Sequence, residues 1–252
     1  MKTVVLSSGS KGNTTYIESK NAKILIDAGN TCKYIINSLS KLNINPEDID
    51  AILITHTHVD HIGGLKTLLK KINPCVYMTE KMRPYLDFID NYKIIDEKDF
   101  CINDLYVNVI KTSHDTEDSV GYIINQENNS LVYITDTGYI NRKYFDILKN
   151  RNIYIFESNH DVEMLNNSSY PFATRQRILS DKGHLSNYDS AKYLADFLGE
   201  KTNYILLAHL SLENNTSDIA LQTLKDRLNS ENINFDNIII AKQNEMTEVI
   251  EI

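Results

Sequence analysis

The chain has 252 residues, of which 42% are apolar and 24% are charged, and its sequence has no apolar run long enough to suggest a membrane span. This composition predicts a globular protein with a substantial buried core. The formal net charge of −8 argues against broad, sequence-independent attraction to polyanions. Three widely spaced cysteines argue against a disulfide framework or a thiolate zinc site.

The start of the chain lacks the apolar stretch of a signal peptide, so we expect a cytoplasmic protein that does not bind membranes. Cys32, Cys75 and Cys101 are interpreted as small buried side chains. The sequence has no internal repeat, linker or low-complexity tract, which predicts one domain over residues 1–252. It leaves the oligomeric state open.

Alternating apolar and polar residues predict three strands at the start of the chain, over residues 3–7, 14–18 and 23–27. A helix is expected over about 33–42. Between the first two strands, the run Ser7-Ser-Gly-Ser-Lys-Gly-Asn13 has the glycine, hydroxyl and lysine content of a phosphate cradle but not the spacing of a P-loop. A plain turn between strands is the alternative interpretation of this run.

A short, β-branched apolar strand over 51–54 leads into the run Thr-His-Thr-His-Val-Asp-His. In an extended stretch, residues two apart point the same way, so His56 and His58 can face one divalent ion. Asp60 and His61 follow where the chain turns into a helix, and they can face a second ion. A solvated polar turn is the alternative, but three histidines and an aspartate in six residues favour metal.

Three later strand patterns each end near a side chain that could bind metal. They lie over 105–110, 131–135 and 204–208. His114 follows the first and would complete the first site. Asp136 follows the second, where a carboxylate could bridge both ions, and His209 follows the third and would close the second site. Further helices are expected near 142–149, 190–198 and 217–229, and a strand over 238–241.

Taken in order, these ligands resemble those of the metallo-β-lactamase superfamily, and further motifs resemble its WalJ (YycJ) group. Those motifs are the 7–13 run, Leu-Ile-Asp27-Ala-Gly, Ser-His114-Asp, Thr-Asp136-Thr-Gly-Tyr, Glu157-Ser-Asn-His160-Asp, Lys-Gly-His184-Leu-Ser-Asn and Leu-Ala-His209-Leu-Ser. The sequence has Thr57 and Val59 where the group's usual pattern has Glu and Ser. Neither is an expected ligand, so this difference bears on substrate preference and not on metal binding.

The resemblance implies an α/β fold, an αββα sandwich in which two mixed β-sheets are flanked by helices. It also implies a 5′-to-3′ exonuclease that acts on 5′-phosphorylated DNA and uses two divalent ions per chain. Zinc suits the imidazole-rich first site, and manganese suits sites with two carboxylates, so the metal stays open.

For a phosphodiester, the expected nucleophile is a hydroxide that bridges the two ions, because coordination lowers the pKa of water from about 15.7 toward about 7. Asp60 would both bind metal and orient the hydroxide. His184 is the expected general acid for the leaving 3′-oxygen, by resemblance to phosphodiesterases of this fold.

The substrate contacts expected from the sequence are His160, Ser8, Ser10, Lys11 and Asn13. His160 has three possible roles: it could hold the 5′-phosphate, compete with His209 for the second metal, or brace its own turn. Basic side chains such as Arg175 and Arg177 could contact phosphates, but a solvated face is the simpler interpretation.

Two other functions remain open. The same binuclear site serves RNA processing and the hydrolysis of small phosphodiesters, esters, thioesters or lactams, and fold cannot decide among these reactions. A metal-stabilised binding protein without turnover is the second alternative. A complete set of metal ligands together with an additional general acid, His184, favours catalysis over this second alternative.

Overall fold

Two seven-stranded sheets form the centre of the protein, whose computed structural model describes residues 1–95 and 98–252. The first sheet has the order β14-β1-β2-β3-β4-β5-β6. Its strands are β1 (Lys2–Ser7), β2 (Thr14–Glu18), β3 (Lys23–Ile26), β4 (Ala51–Leu53), β5 (Cys75–Met78), β6 (Tyr92–Ile94) and β14 (Ile250–Glu251). Neighbours from β14 to β3 are antiparallel and those from β3 to β6 are parallel, so the sheet is mixed.

The second sheet repeats this arrangement with the order β13-β12-β11-β10-β9-β8-β7. Its strands are β7 (Phe100–Ile102), β8 (Leu105–Lys111), β9 (Val120–Gln126), β10 (Asn129–Ile134), β11 (Ile153–Glu157), β12 (Tyr204–Ala208) and β13 (Ile238–Ile240). Strands β7 to β10 pair antiparallel, and β10 to β13 pair parallel. The carboxyl ends of β10, β11 and β12 therefore meet at one edge.

Eight α-helices complete the described part of the chain. They are α1 (Cys32–Lys41), α2 (Val59–Ile62), α3 (Leu65–Leu68), α4 (Phe145–Leu148), α5 (Val162–Asn166), α6 (Phe172–Ile178), α7 (Asn187–Phe197) and α8 (Ser217–Ser230). Short 3₁₀ turns lie at Pro46–Asp48, Glu80–Tyr85 and Arg142–Tyr144. None of the described helices is long and apolar enough to cross a bilayer.

The second sheet is buried on both faces, as its strand β11 shows. Ile153 and Ile155 join the core shared with the first sheet, whereas Tyr154 and Phe156 pack with side chains of α7 and α8. Successive strand residues point to opposite faces, so a continuous apolar strand fits between two packed layers. Because α1 and α3 add side chains to the core of the first sheet, the layers form an αββα sandwich, as predicted.

Most predicted elements lie within two residues of the observed ones, and the differences have local causes. Helix α7 begins three residues before the predicted start because the Ser186 side chain accepts a hydrogen bond from Asp189 N. The helix expected after the ligand loop is divided into α2 and α3 at Gly63 and Gly64. The helix expected over 142–149 is a 3₁₀ turn followed by the short α4.

The prediction of three buried cysteines was right only for Cys32. Cys75 is half-buried and Cys101 is exposed, and all three are free thiols.

Candidate metal centre

The ligand loop leaves β4 in extended form and then enters α2. His58 caps α2 with φ −65° and ψ 150°, so it belongs to the extended stretch, whereas Asp60 and His61 lie within the helix. Ligand atoms of His56, His58 and His114 lie within 4.8 Å of one another. The first part of this loop therefore lies beside His114, which follows β8 of the other sheet.

A second group lies beside the first. Asp60 Oδ2 is 3.5 Å from His61 Nε2 and 3.3 Å from His209 Nε2. These three residues also offer ligand atoms within 4.8 Å of one another. The turn into α2 therefore directs Asp60 and His61 away from the first group, toward the end of β12.

Asp136 lies between the two groups. Its Oδ2 is 3.2 Å from His61 Nε2, and its Oδ1 is 3.5 Å from His209 Nε2 and 3.7 Å from His114 Nε2. The backbone of Asp136 has φ 55°, a left-handed conformation that aspartate tolerates better than most residues and that turns its carboxylate into the site. A carboxylate in this place can contact ions in both groups.

The donor set fits two divalent cations. Buried imidazole and carboxylate groups without a hydrogen-bond partner are costly unless something else satisfies them. His56 Nε2 is buried without such a partner among the described residues. His56 belongs to two of the clusters that could hold a metal, and an ion would satisfy this nitrogen.

The buried groups strongly perturb one another. Burial lowers the pKa of His209, but the charges of Asp136, Asp60 and Glu157 outweigh burial and raise it to about 10. Burial also lowers the pKa of His61, but the nearby carboxylates outweigh burial and raise this pKa well above its usual value. Burial holds the pKa of His56 well below its usual range. The carboxylates of the site therefore favour the protonated forms of His61 and His209.

Asp27 holds His61 from behind. The carboxylate accepts hydrogen bonds from the backbone N–H and the hydroxyl of Thr55, both at 2.8 Å, and it lies 2.7 Å from His61 Nδ1. Asp27 and His61 are both fully buried. A carboxylate on Nδ1 fixes the imidazole orientation and leaves Nε2 for a ligand. No role for Asp27 was predicted from the sequence, although a charged residue directly after a buried strand is a usable signal.

Glu157, at the end of β11, connects two histidines. Its Oε1 is 2.8 Å from His184 Nδ1 and 3.1 Å from His209 Nδ1. Its Oε2 accepts hydrogen bonds from the backbone N–H groups of Thr137 and Leu185. Burial raises the pKa of Glu157, but the facing histidines outweigh burial and lower it to about 2.

The arrangement makes Glu157 an orienting carboxylate for His184. The contact through Nδ1 leaves His184 Nε2 for the cavity that this residue lines. The sequence motif that contains Glu157 did not indicate a role for this residue. Its position at the end of a buried strand, next to those of Asp136 and His209, could have revealed it.

The loop after β1 divides into exposed and buried side chains. Ser10 and Lys11 line the cavity in front of the candidate metal centre. Ser8 and Asn13 were also expected to contact the substrate, but both side chains are buried. Ser8 Oγ accepts a hydrogen bond from His209 N, and Asn13 Nδ2 donates to Asp60 Oδ2. Their side chains therefore brace ligand residues.

His160 was likewise expected to contact the substrate, but the structure places its side chain elsewhere. Its side chain is buried, and neither ring nitrogen has a hydrogen-bond partner among the described residues. Asn159, not His160, lines the cavity. His160 is absent from the described clusters that could hold a metal. Its backbone carbonyl accepts a hydrogen bond from Asn187 N, which ties its turn to the start of α7.

The cavity has a volume of about 420 Å³, within the usual range of small-ligand sites. Its floor is made of metal-centre residues. Tyr170, Thr174, Arg177 and Ile178 form one wall, and residues 210–213 form another. The first wall includes α6, an element that the sequence analysis did not predict.

Comparison with known proteins agrees with this geometry. Residues 8–209 match the family described as the metallo-beta-lactamase superfamily. The chain is 41% identical over 233 residues to the exodeoxyribonuclease WalJ of Streptococcus pneumoniae, covering 89% of this chain and 87% of that protein. It is 38% identical over 233 residues to the exodeoxyribonuclease YycJ of Bacillus anthracis, covering 89% and 88%.

A solved structure shares the fold at low sequence identity. The metallo-beta-lactamase fold protein YhfI from Bacillus subtilis has a TM-score of 0.72 and 18% identity, and the match covers 98% of this chain and 99% of that one. The predicted fold is therefore confirmed. The chain belongs to the metallo-beta-lactamase superfamily and, within it, to the family of the WalJ and YycJ exodeoxyribonucleases.

Proposed function

We propose that this protein is a metal-dependent exodeoxyribonuclease that digests 5′-phosphorylated DNA in the 5′-to-3′ direction. The observation that carries the proposal is a pair of adjacent ligand groups with Asp136 between them, in a chain of the WalJ and YycJ family. Both sheets contribute to these groups, which supports a single domain over residues 1–252. A cytoplasmic location stays a prediction.

His56, His58 and His114 would hold one divalent ion, and Asp60, His61 and His209 would hold the other, with Asp136 contacting both. When bound, such ions lower the pKa of a coordinated water and neutralise charge on phosphoryl oxygens. Imidazole-rich groups suit zinc, and sites with two carboxylates suit manganese. The choice between these metals stays open.

Two side chains carry the proton chemistry. Asp60 Oδ2 faces the second group, so the other carboxylate oxygen can accept a hydrogen bond from the attacking water and orient it. His184 donates a proton from Nε2 to the leaving 3′-oxygen. Glu157 supports this role because its contact with Nδ1 keeps the ring oriented.

A digestion assay tests the proposed function. Metal-loaded protein is incubated with single-stranded and duplex DNA and RNA, each with and without a 5′-phosphate and labelled at either end. We expect mononucleotides to be released progressively from the 5′ end of phosphorylated DNA. Preferential digestion of RNA, or cleavage of small phosphodiesters or thioesters without digestion of DNA, would contradict the proposal.

A further inference from the structure

One wall of the cavity carries an arginine that, among the described residues, pairs with an aspartate beside the metal centre. Arg177 Nη1 contacts Asp115 Oδ2. We infer that Arg177 binds the terminal 5′-phosphate of the substrate, and that Asp115 holds the guanidinium in position until that phosphate replaces it. This inference rests on the proposed function and assigns a residue to its substrate specificity.

The position of Arg177 follows from α6. Thr174, Arg177 and Ile178 are spaced three and four residues apart, so they share one face of the helix, and all three line the cavity. The Arg177 side chain is 50% exposed. The guanidinium can therefore contact a ligand in the cavity without a change in the fold.

Asp115 places the guanidinium at a defined distance from the metal centre. Its Oδ1 lies 3.3 Å from His114 Nε2 and 3.9 Å from His58 Nε2, while its Oδ2 contacts Arg177. One carboxylate thus separates the arginine from the first ligand group. A phosphate over the metal centre and a second phosphate on Arg177 would be neighbouring groups of one strand.

The chemistry of the pair favours a terminal phosphate over the scissile one. A guanidinium offers a planar fork of N–H donors that matches two oxygens of a phosphate. A terminal phosphate has three free oxygens and more negative charge than an internal diester. It can therefore take the place of the Asp115 carboxylate on the same donors. A half-exposed ion pair is weak, so this exchange costs little.

Neighbouring cations are less suited to this role. Lys11 lines the cavity on the loop after β1, but its ammonium is a point charge without the planar fork. Arg175 lies on the same helix as Arg177, but it donates to the backbone oxygen of Asn166 and is not among the residues that line the cavity. Arg175 therefore supplies a matched control.

The test compares Arg177→Gln with Arg175→Gln in metal-loaded protein. With 5′-phosphorylated DNA, we expect Arg177→Gln to raise KM by roughly 10- to 100-fold, as for loss of charged hydrogen bonds, with a smaller change in kcat. With 5′-hydroxyl DNA, KM should change by less than about threefold. Arg177→Lys should lie between wild type and Arg177→Gln. Arg175→Gln should match wild type on both substrates.

A binding measurement makes the inference testable without cleavage. Calorimetry should show that metal-loaded wild type binds thymidine 5′-monophosphate at least about tenfold more tightly than thymidine, and that Arg177→Gln loses most of this difference. Equal losses on both DNA substrates, or an unchanged preference for the monophosphate in Arg177→Gln, would overturn the inference. Wild type that binds the monophosphate through Arg177 but digests no DNA would instead overturn the proposed function.

Discussion

Most histidines of the candidate metal centre have a neighbour at Nδ1 that directs the other ring nitrogen inward. His56 Nδ1 lies 3.1 Å from the Thr55 hydroxyl, and His114 Nδ1 lies 3.1 Å from the carbonyl oxygen of Gly183. His61 and His209 use Asp27 and Glu157 in the same way. His58 differs, because its Nδ1 is 3.2 Å from His114 Nε2. Four rings thus offer Nε2 to metal and His58 offers Nδ1.

Separate substitutions should distinguish metal binding from proton donation. We expect His184→Ala to retain both ions and to lose about 10²- to 10⁴-fold in kcat, because the ring acts as an acid outside the two ligand groups. His58→Ala should lose metal and activity together. Metal content by mass spectrometry, measured beside the nuclease assay, separates the two outcomes. If His184→Ala emptied a metal site, the assigned roles would be reversed.

His160 should make stability depend on pH. Burial lowers its pKa to about 4, against the usual 6.5, and the charge of Glu157 opposes this only in part. Between these values the unfolded chain binds a proton that the folded chain does not. The stabilisation is therefore complete above about pH 6.5 and is lost as the pH falls toward 4.

We expect His160→Phe to remove this dependence. From pH 7 to pH 5, wild type should lose up to about 2 kcal/mol more unfolding free energy than the variant, as follows from the two pKa values. Urea unfolding of both proteins in the presence of chelator excludes any contribution from metal release. Parallel pH profiles for the two proteins would show that His160 is not buried in its neutral form.

At the level of elements, the candidate site depends on loops that pack backbone against backbone. Ala28 N donates to His61 O, Gly29 N donates to Asn13 O, and Asn13 N donates to Asp60 O. The loop after β3 and the loop after β1 therefore hold α2 between them. A β-carbon at Gly29 would lie 1.6 Å from Asp60 O, a distance that no side chain can occupy.

Gly29→Ala should therefore displace Asp60 and weaken the second metal group. We expect at least about a hundredfold loss of activity, since small displacements of positioned groups have effects of this size, together with reduced metal content. Gly199→Ala is the control, because its β-carbon would meet the Asn150 side chain and Gly199 precedes the amino end of β12, whereas His209 follows the carboxyl end of that strand. The control should retain its metal, even if it melts at a lower temperature. Full metal content in Gly29→Ala would refute this account of loop packing.

At the level of the whole molecule, the candidate metal centre joins the two sheets. His56, His58, Asp60 and His61 follow β4 of the first sheet, whereas His114, Asp136 and His209 follow strands of the second. Bound ions would bridge these layers and satisfy His56 Nε2, a buried nitrogen without a hydrogen-bond partner in the part of the chain that the structure describes. Metal should therefore bind the folded chain far more tightly than the unfolded one.

Metal removal should lower thermal stability. With free metal at about 1,000 times Kd, linkage predicts about 4 kcal/mol of stabilisation, or roughly 10 °C in Tm for a chain of this size. Calorimetry before and after treatment with chelator checks this, and adding metal back should restore the original Tm. His58→Ala should show a smaller shift. An unchanged Tm after confirmed metal removal would contradict a bridging role.

Local pattern was sufficient to predict eight of the fourteen described strands, together with α1 and α8, and to propose seven ligands, because each of these depends on residue type and short-range spacing. The β-branched strand 51–54 and the histidines two apart are examples. The pattern could not show that Asp27 faces His61, that Glu157 joins His184 to His209, or that Arg177 meets Asp115. These contacts join residues far apart in sequence, and they exist only where the layers pack. The same packing buries His160 and Asn13, which had been predicted to contact the substrate.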